Sequence, residues 1–216
     1  MVGEFVKVSV IMPSFLGEYV GAATGRIEKF HRAVNSFINQ DYHLKELIIV
    51  SDGCPDTINE YNKRYLQEHS HHIKLIQIGK QEQFSGEVRE AGLRAATGQL
   101  ILYLDSDDSL KSNHCSNVRA AFGNCNEIDW VYFNDNEKRF HIDHLPLTER
   151  SAKLEKGSIG TSNIAHLNYP DIYWRGCDGY GHDFIFIERL KRRYIRFKKI
   201  DGAGYIVHHI PHSFES

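Results

Sequence analysis

The sequence predicts an α/β fold, a mostly parallel sheet flanked by helices and closed into a single domain over residues 1–216. Three observations carry this. Short runs rich in Val, Ile and Leu alternate with amphipathic stretches through the first half, as in β-α-β units whose strands are buried on both faces. With 216 residues, 41% of them hydrophobic, the chain can build one sizeable core. No internal repeat, low-complexity tract or linker divides it.

The first strand is expected over 6–12, followed by a helix in which Ile27, Phe30, Val34, Phe37 and Ile38 share one face. A second strand over 46–50 precedes a helix marked by Ile58, Tyr61 and Tyr65, and a third strand follows over 73–78. A helix over 86–96 turns Val88, Ala91 and Ala95 inward, and Gly98 stops it before a fourth strand at 100–104. Beyond Asp108 the alternation fades. A helix at 116–122 and a strand at 130–133 lead into charged, weakly periodic sequence. Residues 157–163 are small and polar, 169–182 rich in Gly and aromatics, 184–193 helical with a basic end, and 205–210 a closing strand. Residues 1–110 read as a nucleotide-binding half and 111–216 as the half that completes the domain and receives the acceptor.

Composition narrows the function. A formal charge of −2 supplies no basic field for nucleic acid, although 13 histidines let the charge drift positive in mild acid. Cys54, Cys115, Cys125 and Cys177 lie too far apart for a CxxC pair and read as reduced thiols of a cytoplasmic protein. Nothing at the N-terminus resembles a signal peptide, and no apolar run approaches the roughly 20 residues that span a bilayer. Any membrane contact is therefore peripheral, at the inner face. The run Lys191, Arg192, Arg193, Arg196, Lys198 and Lys199 suits anionic headgroups, and equally a solvated helix end.

The chemistry concentrates where residues 101–110 read Ile-Leu-Tyr-Leu-Asp-Ser-Asp-Asp-Ser-Leu. An apolar strand running into Asp105, Asp107 and Asp108 needs a cation or hydrogen-bond donors to offset the crowded charge. Mn²⁺ or Mg²⁺ fits, because it takes one or two carboxylates while substrate phosphates fill the remaining positions. The same residues also suit a helix cap or turn. In open α/β sheets ligands bind beyond the carboxyl ends of parallel strands. There the first strand delivers Pro13, Ser14 and Phe15, the second Ser51, Asp52 and Gly53, and the fourth Asp105, Ser106, Asp107 and Asp108. With no GxGxxG and no GxxxxGK[ST], phosphate falls to metal and basic side chains.

Val-Ser-Val-Ile-Met-Pro-Ser-Phe at 8–15, Glu-Leu-Ile-Ile-Val-Ser-Asp-Gly-Cys-Pro-Asp at 46–56 and Gly-Leu-Arg-Ala-Ala-Thr-Gly-Gln-Leu-Ile-Leu-Tyr-Leu-Asp-Ser-Asp-Asp at 92–108 resemble the family 2 glycosyltransferases of the GT-A fold. The resemblance is close over residues 5–110 and looser beyond. It implies inverting transfer from a nucleotide-diphosphate sugar, with the metal bridging the diphosphate to an Asp-x-Asp motif. On it, Asp52 matches the carboxylate that hydrogen-bonds the base, and Pro13, Ser14 and Phe15 line the nucleotide. Asp105, with Ser106 beside it, would contact ribose or sugar, Asp107 would ligate the metal, and Arg89 matches a basic residue near the nucleotide. Two departures stand out. Glu90 occupies a position where Asn is usual, and residues 16–26 form a longer, glycine-richer loop, a flap or a surface loop.

Inverting chemistry needs a general base. Asp183, in Gly-Tyr-Gly-His-Asp-Phe, resembles the second position of the family's Glu-Asp or Asp-Asp motif, with His182 at the first, and it also suits a helix cap. His208 and His209 lie where GT-A enzymes often supply a histidine to the metal. Side chains alternate along a strand, so one of them faces the site, and His209 is preferred. Gly160, Thr161 and Ser162, with Trp174 and Tyr180 for stacking, are candidate acceptor contacts, although each taken singly suits ordinary loop and core somewhat better. The expected activity is sugar transfer to a glycan or lipid-linked glycan in surface polysaccharide synthesis. A silent nucleotide- or glycan-binding module is one alternative. A nucleotidyltransferase is the other, although it should carry a glycine-rich basic loop after its first strand, and no basic residue occurs in 13–17.

Overall fold

The computed structural model describes residues 6–19, 24–82, 85–123, 127–139, 146–179 and 181–209, and of residues 139 and 209 the backbone alone. Strand β1 (Val8–Ser14) leads to α1 (Arg26–Ile38), which buries Phe30, Val34 and Phe37 from the expected stripe but leaves Ile27 at its edge, 39% exposed. β2 (Lys45–Asp52) pairs parallel with β1 and is buried along its whole length. α2 (Pro55–Arg64) and the short α3 (Leu66–His69) return the chain to β3 (Ile73–Ile78), parallel to β2. α4 (Gly86–Ala95) then crosses to β4 (Leu100–Tyr103), on the other side of β1.

The second half continues with β5 (Ser109–Leu110), α5 (His114–Ala121), β6 (Trp130–Phe133), β7 (Asp135–Arg139) and β8 (Thr148–Arg150). It ends with β9 (Ile164–Leu167), α6 (His182–Arg193), β10 (Phe197–Ile200) and β11 (Tyr205–His209). The seven-stranded sheet has the order β10-β6-β9-β4-β1-β2-β3, and β9 alone runs against the rest. The mostly parallel sheet expected from sequence is thus present, and β6, β9 and β10 of the second half complete it.

β5, β11, β7 and β8 form a smaller sheet that the sequence did not announce. One of its two inner strands, β7, reads Asp-Asn-Glu-Lys-Arg, with no apolar alternation. An ion pair holds it instead: the Arg150 guanidinium donates from Nε and Nη2 to the buried Asp135 carboxylate, both at 2.7 Å. Among the described residues no helix is long and apolar enough to cross a membrane.

The amino-terminal edge of the main sheet is stitched by Glu46, 1% exposed. It accepts from Ser9 Oγ at 2.7 Å, Lys7 Nζ at 2.9 Å, Lys74 Nζ at 2.7 Å and both the N–H and the hydroxyl of Thr97 at 2.8 Å. Burial opposes ionisation, but these donors outweigh it and hold the carboxyl well below its ordinary range. Because the folded value is depressed, the stabilisation is present above the unfolded value of about 4.3 and fades as pH falls below it. Glu46→Ala is expected to lose about 2 kcal/mol at neutral pH in urea denaturation, with the gap narrowing in acid. A gap that is constant with pH would refute the charged account.

Candidate active site

The carboxyl ends of β1, β2 and β4 lie side by side, with Ser14 beside Ser51 and Ile11 beside Tyr103. The segments that follow them open on a cleft of about 880 Å³. Pro13, Ser14, Phe15 and Asp52 line one part of it, and Arg89, Asp105, Ser106 and Asp107 another. Asp183, from α6 in the second half of the chain, lines it too.

Asp52 is held from two directions. Lys80 Nζ lies 2.5 Å from Oδ2 and the Gln81 N–H donates to Oδ1 at 2.7 Å. The same ammonium sits 4.1 Å from the centre of the Phe15 ring, a cation–π distance. Gly53 makes this possible. Its φ is +61°, and a Cβ there would lie 2.6 Å from the Lys80 backbone nitrogen. Lys80 and Gln81 went unrecognised in the sequence, although inspecting the residues after β3, as after the other strands, would have found them. Arg26 and Lys29, at the start of α1, also line the cleft and were hidden within a helix read for its apolar face.

Asp105 and Asp183 meet through Arg89, which is 3% exposed. Its Nη2 donates to Asp105 Oδ1 at 2.7 Å, and its Nη1 lies 3.7 Å from Asp183 Oδ1. Burial pushes the Asp105 carboxyl up, against the pull of Arg89. Asp183 goes the other way: although burial opposes it, Arg89, His182 and the Thr161 N–H bring its carboxyl down to about 2. Gly181, at φ +105°, starts α6 and places Asp183 in its first turn, where the helix dipole also favours an anion.

The three carboxylates after β4 separate into different environments. Asp107 is exposed at the cleft, whereas Asp108 is buried, accepting from the Tyr205 hydroxyl and the His208 N–H, both at 2.9 Å. Asp108 thus ties β11 to the turn. His208 directs Nε2 to Ser109 Oγ at 2.7 Å, and burial, with Arg32, Lys138 and Lys29 nearby, pushes its imidazole down to about 4. The His209 side chain lies outside the described residues. Among the described residues no three His, Cys, Asp or Glu side chains converge as a metal site. The donor set fits an ion that arrives with a diphosphate, since Mg²⁺ needs one or two protein carboxylates and Asp107 presents one.

In the segment before β9, the Thr161 N–H points to Asp183 Oδ2 at 3.4 Å, and Gly160 packs beside the same oxygen. Of the two readings of Trp174, core and not sugar stacking is what the structure has: the ring is fully buried, stacked on Phe186 at 3.8 Å, and its indole N–H donates to the Tyr103 hydroxyl at 2.9 Å. Tyr180 lies outside the described residues, as do 20–23 of the glycine-rich loop and Cys125. Glu90, the departure from Asn, anchors that buried region by accepting from the Trp174 N–H at 2.6 Å and Arg94 Nε at 2.8 Å. Cys54, Cys115 and Cys177 are buried and unbridged. In the basic run, Arg193 pairs with Asp171, Arg196 with Asp129 and Lys191 with Glu188.

The family model for glycosyl transferase family 2 matches residues 9–172. A poly(ribitol-phosphate) β-N-acetylglucosaminyltransferase, TarP of Staphylococcus aureus, is 26% identical over 163 residues, which are 73% of this chain and 44% of TarP. Residues 1–349 of S. aureus TarS, solved in complex with UDP-GlcNAc, superpose with a TM-score of 0.70 at 18% identity over 97% of this chain and 61% of that one. The mannosyltransferase PcManGT of Pyrobaculum calidifontis, solved with GDP-Man and Mn²⁺, gives a TM-score of 0.64 at 11% identity over 94% of this chain and 57% of that one. At these identities the structures establish the fold, of GT-A type. The chain spans 20–44% of the length of the first curated relatives it matches.

Proposed function

The chain belongs to glycosyl transferase family 2, and on that premise we propose that it transfers a sugar, with inversion, from a nucleotide-diphosphate donor to a hydroxyl of a growing surface glycan. The observation that carries this is the meeting of Asp183, from the second half, with the Arg89–Asp105 pair of the first, at the strand-end cleft. In this reading Phe15 lies against the base and Asp52, braced by Lys80 and Gln81, accepts from its edge. Asp105 and Ser106 take the ribose or the sugar, with Arg89 holding Asp105 in place. Asp107 and a strand histidine, His208 or His209, would hold Mn²⁺ or Mg²⁺, which when bound neutralises charge on the departing diphosphate.

Asp183 takes the acceptor proton. As the acceptor O–H bond breaks, its oxygen bonds the anomeric carbon, and the diphosphate leaves from the opposite face with the electron pair of the broken C–O bond. TarS is solved with UDP-GlcNAc, so a UDP-N-acetylhexosamine is the first donor to try, with a glycan or lipid-linked glycan as acceptor.

Calorimetric titration of UDP, GDP, dTDP and CDP, each with Mn²⁺ and with EDTA, tests the reading. One diphosphate is expected to bind with metal at least about tenfold more tightly than without, and Asp107→Ala to lose that increment. Equal affinity with and without metal in the parent protein would remove the role of Asp107. Failure of every diphosphate to bind would favour the silent module.

A further inference from the structure

Two of the cations lining the cleft stand at the start of α1, and neither has a part in the roles proposed for the base, the metal or the proton. Arg26 is the first residue of the helix, and Lys29 lies almost one turn on. The other two lining cations are engaged by carboxylates, Lys80 by Asp52 and Arg89 by Asp105. Arg26 differs. Among the described residues it donates to neutral oxygens, from Nη2 to the Phe15 carbonyl and from Nη1 to the Tyr19 hydroxyl at 3.1 Å. Its Nε is shut off from solvent and has no hydrogen-bond partner, a costly state for a charged donor. Lys29 is 6% exposed, a rare depth for an ammonium.

The helix itself gains nothing from either side chain. Cations at a helix start oppose the dipole, and two of them three residues apart repel one another. Glu28, the acidic residue of that turn, is exposed and does not line the cleft. An anion in the cleft would offset both penalties and give Nε its acceptor.

Position says which anion. Arg26 is tied to Phe15, at the end of the cleft read as the base site. Further along the same helix Arg32 donates to the Asp107 carbonyl oxygen, at the end read as the metal site. Lys29 lies between them in sequence, and the whole row rises only about 9 Å along the axis. In a nucleotide-diphosphate sugar, the group between the nucleoside and the metal is the pair of phosphates.

We propose that Arg26 and Lys29 bind the diphosphate of the donor, Arg26 taking the phosphate next to the nucleoside with Nε as one prong of its fork, and Lys29 the phosphate nearer Asp107. The inference rests on the donor reading of the cleft. It adds that side chains of α1, and not a metal alone, offset the diphosphate charge, so that part of the affinity survives without metal. The acidic residues of the cleft do not cancel the pair. Asp52 is engaged by Lys80, Asp105 and Asp183 flank Arg89, and Glu18 and Glu82 are exposed to solvent.

The test is titration in EDTA, by calorimetry and for weak ligands by NMR, of the tightest binder among UDP, GDP, dTDP and CDP, of its nucleoside and of inorganic pyrophosphate. The proteins are the parent, Arg26→Gln, Lys29→Gln and the charge-keeping Arg26→Lys and Lys29→Arg. In the parent the diphosphate is expected to bind more than about tenfold tighter than the nucleoside. Each Gln variant should lose about tenfold in diphosphate affinity, the worth of a charge-assisted hydrogen bond, with nucleoside affinity unchanged. The charge-keeping variants should retain part of it. Unchanged diphosphate affinity in either Gln variant overturns the proposal and leaves the donor reading standing. Parallel loss of nucleoside affinity overturns it too, because the side chain would then only brace the Phe15 segment. If Lys29→Gln does not fold, Arg26→Gln, at a partly exposed position, decides alone. A parent that binds pyrophosphate but no nucleoside diphosphate, or neither, overturns the proposal and the donor reading together.

Discussion

Asp183→Asn is expected to lower the rate of sugar transfer by about 10³-fold or more while leaving nucleotide-diphosphate affinity within a few-fold of the parent. General bases contribute 10²–10⁴-fold, and an amide of the same shape has no lone pair basic enough to take the acceptor proton. Binding should survive because the substitution removes little that holds the cleft. Arg89 keeps its 2.7 Å bond to Asp105, and the contact it loses, at 3.7 Å, is the long one. A carboxyl at about 2 is a weak base in the donor-free protein, since catalytic bases work best near the ambient pH. If the donor binds as proposed, with its diphosphate near Arg89, that negative charge offsets part of the cation that holds Asp183 down and makes Asp183 the stronger base. Transfer assays and calorimetry on the same preparation separate the two effects. Parallel loss of affinity and rate would mean that Asp183 binds the donor and is not the base.

The parts of this arrangement that the sequence made legible are those encoded locally. β3 occupies 73–78 as expected, and α4 ends within one residue of its expected end, because apolar periodicity and a following glycine are written into the segment itself. The strand-end residues were legible for the same reason: once β1, β2 and β4 are placed, the parallel rule puts Phe15, Asp52 and Asp107 on one edge. Hidden from it were pairings across long stretches of chain. β9 is four residues long and includes His166, which is buried against the Tyr103 hydroxyl at 2.8 Å and pushed down to about 4 by burial. Nothing in Ile-Ala-His-Leu announces that partner. Asp108 looks like one more member of an acidic cluster at the cleft until β11 brings Tyr205 and the His208 N–H to it. Trp174 looks like a stacking platform in a glycine-rich segment, yet Phe186 and Tyr103 enclose it.

Arg89→Met is expected to be the most destabilising single change in the cleft, costing about 3–5 kcal/mol at neutral pH, the range for breaking a buried ion pair from one side. Arg89 is 3% exposed, lies 5.4 Å from the Trp174 ring and holds the charge of Asp105 and Asp183 together. Methionine fills much of the space but leaves two carboxylates near one another with no cation between them. Asp105, its side chain 35% exposed, keeps some water, which places the expected loss towards the lower end of the range. The pH dependence carries the diagnosis. In the parent, the depressed Asp183 contributes stability that is present above its unfolded value of about 3.9 and is lost below it. In Arg89→Met both carboxyls should titrate above their unfolded values, so the penalty is fully present at high pH and is relieved as pH falls through those raised values. The two stability curves should therefore converge in acid, as urea denaturation at about pH 7 and about pH 4 will show. Arg89→Lys should recover only part of the loss, because a single ammonium cannot replace a planar guanidinium that reaches two carboxylates. A penalty that stays constant across that range would mean that packing against Trp174, and not charge, is what Arg89 supplies.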